Sequence, residues 1–226
     1  MHPQVAALLP AFRAAAAAGP MDLDHEVYAE AGLSVDTPVV LGSGSTTSRI
    51  GVFGRDPGRF EIIHREPFIG KGGQLVRSGL HQRLFGAPCE SIEASVKAGQ
   101  HVFWGNTVPY KPKGNKAWSV AVKRRFVPVV RTLLTDVWQG DQLITLGNVA
   151  FDWFRLAEPS LRDPLKAFWA RPDRYTASLT VDLGGKSITL HPLPHPSPLN
   201  ATWYPRFPGL LQQRLAALGW PDDTER

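Results

Sequence analysis

The chain has 226 residues, of which 43% are hydrophobic, and its 25 basic and 20 acidic residues give a net charge of +5. This length and composition predict one or two folded domains with a sizeable core. The single cysteine, Cys89, excludes an internal disulfide, a four-cysteine zinc site and a cysteine-ligated iron–sulfur cluster. The sequence has neither an apolar run of about 18 residues nor a recognisable signal peptide, so we expect a cytoplasmic protein outside the membrane.

From Ile50 onward, short apolar strands alternate with helical segments. We predict strands at 50–53, 102–105 and 143–146, and a hairpin formed by 175–182 and 187–190. We predict helices at 3–18, 26–31, 74–85, 90–98, 118–138 (kinked or broken at Pro128), 149–156, 161–170 and 209–218. The alternation predicts one α/β domain, with a mainly parallel central sheet and helices on both faces. We place this domain at 37–226 and expect an N-terminal helical segment, 1–36, to pack on it.

Charge is unevenly distributed along the chain. Between residues 14 and 48 the charged residues are all acidic, and between 94 and 135 they are all basic. A local basic block is the pattern expected for a polyanion partner, but it also fits a solvated helix face followed by a basic loop. Lys111 and Lys113, in a proline-rich loop of this block, are candidate phosphate contacts.

Distinctive polar residues follow three of the predicted strands. Asp56 follows the first strand, in a turn where Gly54 permits close approach of a ligand, although Asp-Pro-Gly is also a common turn signal. Asn106 follows the second strand, and His195 lies in the loop after the last. The carboxyl ends of parallel strands share one edge of the sheet, so these groups can converge, with Phe68 on a nearby loop.

This set of residues suits a flat polar heterocycle. Phe68 offers a stacking surface, the Asn106 amide offers both a donor and an acceptor, and His195 can donate to a developing anion. Each residue alone has a simpler interpretation: Phe68 in the core, Asn106 as a turn residue and His195 as a loop histidine. His191 competes with His195 for the same role.

Two motifs resemble those of the uracil-DNA glycosylase superfamily. Gly54-Arg55-Asp56-Pro57-Gly58 resembles its first motif, the strand-end loop that carries the water-directing acid, and His195-Pro196-Ser197-Pro198-Leu199 resembles its second. The segment 66–75 is similar to the one after motif one in the iron–sulfur branch, and Asn106 matches the asparagine that reads uracil. Order and spacing agree from about Val52 to Leu199.

The resemblance combines features of two branches. Asp56 stands where one branch has its catalytic Asp, whereas Gly58 stands where that branch has a Tyr that excludes the methyl group of thymine. The cysteines of the iron–sulfur branch are missing, so the resemblance implies a relative that needs neither cluster, metal nor other cofactor.

The resemblance implies a monofunctional glycosylase of base-excision repair that acts on uracil-containing DNA, and we assume a monomer, although the oligomeric state is open. It implies that Asp56 and His195 are catalytic, and that Gly54, Arg55, Phe68 and Asn106 bind the base. The residues it implies in DNA binding are Gly72, Gly73, Ser197, Pro198 and Leu199, to which the basic loop adds Lys111 and Lys113. Three alternatives stay open: a uracil-DNA binding protein without turnover, a glycosylase for hypoxanthine or xanthine, and an enzyme acting on free nucleosides or nucleotides.

Overall fold

The computed structural model describes residues 2–221. Its strands are β1 (Ile50–Gly54), β2 (Phe103–Asn106), β3 (Gln142–Leu146), β4 (Leu179–Leu183) and β5 (Lys186–Leu193). They form one sheet in the order β2-β1-β3-β5-β4, in which only the edge strand β4 is antiparallel to its neighbour. The predicted mainly parallel sheet is therefore confirmed.

The helices form a layer on each face of this sheet. They are α1 (Pro3–Ala17), α2 (His25–Glu30), α3 (Arg59–His64), α4 (Lys71–Phe85), α5 (Ile92–Gly99), α6 (Val120–Thr132), α7 (Asn148–Asp152), α8 (Phe154–Ala157), α9 (Arg162–Trp169) and α10 (Phe207–Ala217). Helices α4, α5 and α10 cover one face, whereas α1 and α6 to α9 contribute to the core on the other. The three-layer α/β/α arrangement is the predicted one. None of the helices in the described range is long and apolar enough to cross a membrane.

Side chains alternate between the two faces of the sheet along each strand, and this alternation produces two cores, one on each face. Successive side chains of a strand point to opposite faces, so Val52 packs with α4 and α10 while Phe53 packs on the other side. Their neighbours on β2 divide in the same way, with Trp104 opposite Val52 and Phe103 in the core that contains Phe53. This register brings the carboxyl ends of β1 and β2 together.

The N-terminal segment contributes to one of these cores. Val5 and Phe12 of α1 and Val27 and Tyr28 of α2 are buried in it. The boundary placed after residue 36 stays a prediction.

The structure differs from the predicted elements at two prolines. Helix α6 continues through Pro128 and passes into a π-helical turn, Leu133–Val137, so the proline does not break it. Strand β5 extends past the predicted end at 190 and includes Pro192. Strand β4 pairs with β5 only up to Leu190, so Pro192, which lacks an N–H, faces no strand on that side.

Helix α3 was not among the predicted elements. It has only six residues and no apolar periodicity that separates it from a loop. It nevertheless follows the Asp56 loop directly and fixes the position of that loop, as described below.

Candidate active site

A cavity of about 720 Å³ opens at the carboxyl ends of the parallel strands. This volume is in the range of small-molecule pockets, about 300–1,000 Å³. Asp56, Phe68 and His195 all line the cavity, so the structure brings these three predicted residues together. Other predicted residues in its lining are Gly54, Arg55, Gly72, Gly73, Lys111, Ser197 and Leu199.

Asp56 is a buried carboxylate at the end of β1, with a side chain only 4% exposed. Burial raises the pKa of Asp56 to about 6, and the adjacent Arg55 cation partly offsets this effect. Both Nε and Nη2 of Arg55 lie 3.1 Å from Oδ2 of Asp56. The carboxyl group is therefore mainly ionised at neutral pH and places a negative charge at the wall of the cavity.

The backbone before Asp56 is fixed by the segment that follows β2. Thr107 Oγ1 donates to the carbonyl oxygen of Arg55 at 2.7 Å, and the Val108 N–H donates to the same oxygen at 3.2 Å. The Thr107 N–H donates to the carbonyl oxygen of Gly54 at 2.9 Å. These bonds satisfy the backbone at the strand end and hold the carboxylate on a rigid support.

His195 faces the cavity from the opposite loop. Gly147, at φ +81°, lets this loop come close, because a Cβ there would lie 3.0 Å from His195 Cβ. The ring is accessible from the cleft, yet the surrounding walls remove much of its water. This desolvation, with the nearby Arg55 cation, lowers the pKa of His195 to about 4. The imidazole is therefore neutral at pH 7 and can donate one N–H.

The second histidine of this region, His191, has a structural role. It is buried on β5, where Nδ1 lies 2.8 Å from Ser178 Oγ and Nε2 lies 2.9 Å from Gln142 Oε1. Burial lowers the pKa of His191 to about 3. Because both ring nitrogens have protein partners, His195 is the histidine available to a ligand.

Phe68 presents its ring to the cavity in an unusual backbone conformation. Its φ is +56°, a region that residues with side chains rarely adopt. The ring stacks on Trp104, with centroids 5.1 Å apart, and lies against Gly54, where a Cβ would come within 2.6 Å of the ring. Gly54 is therefore required by the aromatic ring, and its role in base binding stays a prediction.

Arg77 of α4 holds Phe68 in this conformation. It is 0% exposed, and its guanidinium donates to the carbonyl oxygens of Phe68, Pro67 and Ser95 at 3.0, 2.6 and 3.0 Å. It also pairs with Glu66 at 3.0 Å and stacks over Trp104. Nothing in the sequence identified Arg77, because one arginine within a helical pattern carries no sign of burial.

Glu61 of α3 joins the Asp56 loop to the Phe68 segment. Its two carboxylate oxygens accept hydrogen bonds from the N–H groups of Gly58 and Gly70, at 3.0 and 2.9 Å. The first of these bonds is half of a capping box, so the Glu at the third helical position was a signal available in the sequence.

Gly72 and Gly73 allow the start of α4 to approach both site loops. A Cβ on Gly72 would collide with the carbonyl oxygen of Pro196, and one on Gly73 would collide with the backbone of Phe68. The helix begins at Lys71, three residues before the predicted start, so both glycines lie in its first turn. Free N–H groups of a first turn suit an anionic ligand, as predicted for DNA phosphate.

Asn106 ends β2 beside Gly54, as the motif requires, but it is buried and does not line the cavity. Its Nδ2 lies 3.9 Å from the position of a Cβ on Gly54. The amide is thus behind the cavity wall formed by Gly54 and Phe68. Its assignment to base reading stays a prediction.

The loop after His195 presents an exposed leucine. The Ser197 N–H donates to the carbonyl oxygen of His195 at 2.8 Å, and Ser197 Oγ accepts from the Leu199 N–H at 3.3 Å. Pro198 is exposed, and the Leu199 side chain is 96% exposed at the rim of the cavity. This exposed apolar side chain stands beside the cavity, where the predicted role of Leu199 in DNA binding requires it, and that role stays a prediction.

The predicted role of Lys111 needs correction. This residue is only 2% exposed, and its ammonium lies 2.9 Å from Asp24 Oδ2. A lysine that is buried and paired in this way anchors α2 to the domain and is not free to contact a DNA phosphate. Lys113 is exposed and stays a candidate contact.

One wall of the cavity comes from the acidic N-terminal segment. Asp24, Glu26, Val27 and Glu30 line it, and Glu30 pairs with Arg59 across the rim. The sequence did not associate this segment with the site, because no motif in it points to a ligand.

The donor set does not fit an iron–sulfur cluster. Such a cluster needs several thiolate ligands, and Cys89 is the sole cysteine. Within the described part of the chain, no three His, Cys, Asp or Glu side chains come together as a metal site.

Comparison with known proteins assigns the family. A model of the uracil-DNA glycosylase superfamily matches residues 41–219, which include both motifs and leave out α1 and α2. A search of curated proteins found no match. The superfamily is one of DNA glycosylases, hydrolases that act in base-excision repair. The match covers most of the chain, and the chain therefore belongs to the uracil-DNA glycosylase superfamily.

Proposed function

We propose that this protein hydrolyses the N-glycosidic bond of a uracil flipped out of DNA, leaving an abasic site and free uracil. The observation that carries the proposal is the pair of groups facing one cavity, the buried Asp56 carboxylate and the neutral His195 imidazole. A damaged base cannot be reached inside a duplex, so it must enter such a cavity extrahelically.

The two groups suit the charges that develop in this reaction. As the bond breaks, the sugar gains oxocarbenium character and the leaving base takes the electron pair. The Asp56 carboxylate stabilises the cation and orients the attacking water, whose oxygen bonds to the anomeric carbon and whose released proton ends on the departing uracil. A neutral His195 donates a hydrogen bond to the uracil oxygen where the negative charge develops.

The surrounding residues support binding of a flipped nucleotide. The partly exposed ring of Phe68 offers a surface on which the base stacks. Leu199 fills the space that the base leaves in the duplex, and the amides near Gly72 and Gly73 hold phosphate. Replacement of Leu199 by Ala should slow excision from duplex DNA more than from single strands, which an enzyme for free nucleosides would not show.

Gly58 favours a second candidate, a wider base range that includes hypoxanthine or xanthine. It lines the cavity without a side chain, and a Cβ there would lie 2.8 Å from Glu61 Oε2. Gly58 therefore adds no side chain to the cavity, and a larger residue at this position would collide with the Glu61 carboxylate. Oligonucleotides that contain each of these bases test this range.

The test is excision from a labelled oligonucleotide with one deoxyuridine, single-stranded or opposite G or A, followed by alkali to break abasic sites. Wild type should cleave, and Asp56→Asn and His195→Gln should each be slower by about 10²–10³-fold, the usual effect of losing one such group. Asp136→Asn and His101→Gln are matched controls, since both residues lie near the amino ends of the strands. Tight binding without cleavage by wild type would instead show a binding protein.

A further inference from the structure

A second cavity, of about 450 Å³, lies between α6, α8 and α9. Three arginines line it, Arg124, Arg155 and Arg162, together with one acidic residue, Asp163. No part of the proposed reaction uses this cavity.

Two of the three arginines are not neutralised. Arg155 pairs with Asp152 at 2.7 Å. Arg124 and Arg162 are exposed, and no hydrogen bond or ion pair joins either guanidinium to another residue between 2 and 221. Even with Asp163 present, the cavity therefore has an excess of positive charge held on helices that pack together.

The second cavity lies on the same side of the molecule as the candidate active site. Helix α6 connects the carboxyl end of β2 to the amino end of β3, so its first turns, which carry Lys123 and Arg124, start near the carboxyl edge of the sheet. Lys123 of α6 is close enough to Asp56 and Arg55, and also to Asp152 and Arg155, for all four charges to act on it. Basic residues of α6 are therefore near both Asp56 and the second cavity.

We infer that Arg124, Arg155 and Arg162 form a binding site for a backbone phosphate of the DNA strand that flanks the flipped nucleotide. Guanidinium groups bind phosphate oxygens in a bidentate manner, and unneutralised ones do so with release of counterions. The inference rests on the proposed action on DNA, and it adds a phosphate-binding site distant from the base pocket.

The test measures binding of a fluorescent duplex without uracil at several salt concentrations. Arg124→Gln/Arg162→Gln should bind more weakly at low salt, and its plot of log affinity against log salt should be flatter by about 0.9 for each phosphate that the variant no longer binds. Arg124→Lys/Arg162→Lys keeps the charge and should retain most of the slope. Lys97→Gln/Lys166→Gln loses the same charge at exposed positions outside the cavity and should behave as wild type.

The outcomes separate this inference from the proposed function. An unchanged slope in the Gln variant, or an equal change in the Lys97→Gln/Lys166→Gln control, would overturn the phosphate site even if wild type excises uracil. A flatter slope only in the Gln variant supports the site even if no uracil is excised. Inorganic phosphate is also tested as a competitor of the duplex, with sulfate and chloride at equal ionic strength as controls. Competition by phosphate alone would show a site for free phosphate and overturn the assignment to DNA.

Discussion

Arg55 sets the pH at which the candidate catalytic acid is ionised, and its replacement by Gln should shift the pH profile of excision. The Arg55 guanidinium is the main charge that counteracts the burial of Asp56. Since Asp56 must be ionised to stabilise the sugar cation, the rate should fall as the pH decreases through about 6 in the wild type. Without Arg55 this limb should move to higher pH.

The size of the shift follows from the ion pair. A hydrogen bond between charged groups contributes about 1.5–3 kcal/mol, which corresponds to about one to two pH units. The Arg55 side chain is 26% exposed, so solvent screening favours the lower value, about one unit. The variant should then be slower than wild type by about ninefold at pH 5 and about twofold at pH 7, with almost no difference at pH 8.

Single-turnover excision rates between pH 5 and 8 test this prediction. Arg59→Gln is the matched control, because it also removes a cation from the cavity rim. In the wild type, Arg59 pairs with Glu30 and not with Asp56. A variant that is slower by the same factor at every pH would refute the reasoning, since it would show that Arg55 acts without changing the ionisation of Asp56.

Three further changes test the construction of the site. Asp56→Asn should raise the free energy of unfolding at pH 7 by about 2–3 kcal/mol in chemical denaturation, because folding raises the pKa of this carboxyl from 3.8 to about 6. The burial of the ionised carboxylate destabilises the wild type fully above pH 6 and not at all below pH 3.8, so the gain should be lost at low pH. Arg77→Lys should destabilise the protein by about 3 kcal/mol and weaken substrate binding, since lysine cannot supply the bonds that hold Phe68. Gly72→Ala should lower kcat/KM by about 10²-fold, because the methyl group displaces the loop that carries His195.

Each of these changes has a result that would count against it. An Asp56→Asn protein whose stability matches wild type at both pH 7 and pH 3.5 would mean that burial does not perturb the acid. Unchanged melting of Arg77→Lys would show that its hydrogen bonds are dispensable. Gly209→Ala is the control for Gly72→Ala, because a Cβ at this helical glycine meets nothing within 4 Å; equal activity of both variants would remove the clash as an explanation.

The sequence was sufficient to predict the sheet and the two site loops. Alternation of apolar strands with helices specifies a parallel sheet, and a parallel sheet brings the residues after its strands to one edge. Asp56 and His195 could therefore be placed together although they are far apart in the chain. The choice of His195 over His191 followed from the motif, and the structure supplies its physical basis in the buried partners of His191.

Long-range polar interactions could not be predicted. The basic block suggested that Lys111 contacts DNA, but its partner is Asp24 of the acidic segment, which no local pattern reveals. Arg77 supports the site through a hydrogen bond to the Phe68 loop, which precedes its helix. Glu61 supports the Asp56 loop from the short helix α3, which the sequence did not predict. In the sequence, such residues cannot be distinguished from ordinary helix residues. Their burial and their hydrogen-bond partners are visible only in the tertiary structure.

The most direct test of the proposed function is identification of the small product released from a duplex with one deoxyuridine. Hydrolysis of the N-glycosidic bond predicts free uracil, formed over many turnovers and in equal amount to abasic strand, with little formed by Asp56→Asn. Release of deoxyuridine or a nucleotide, or an intact strand with no free base after prolonged incubation, would contradict hydrolysis of the N-glycosidic bond.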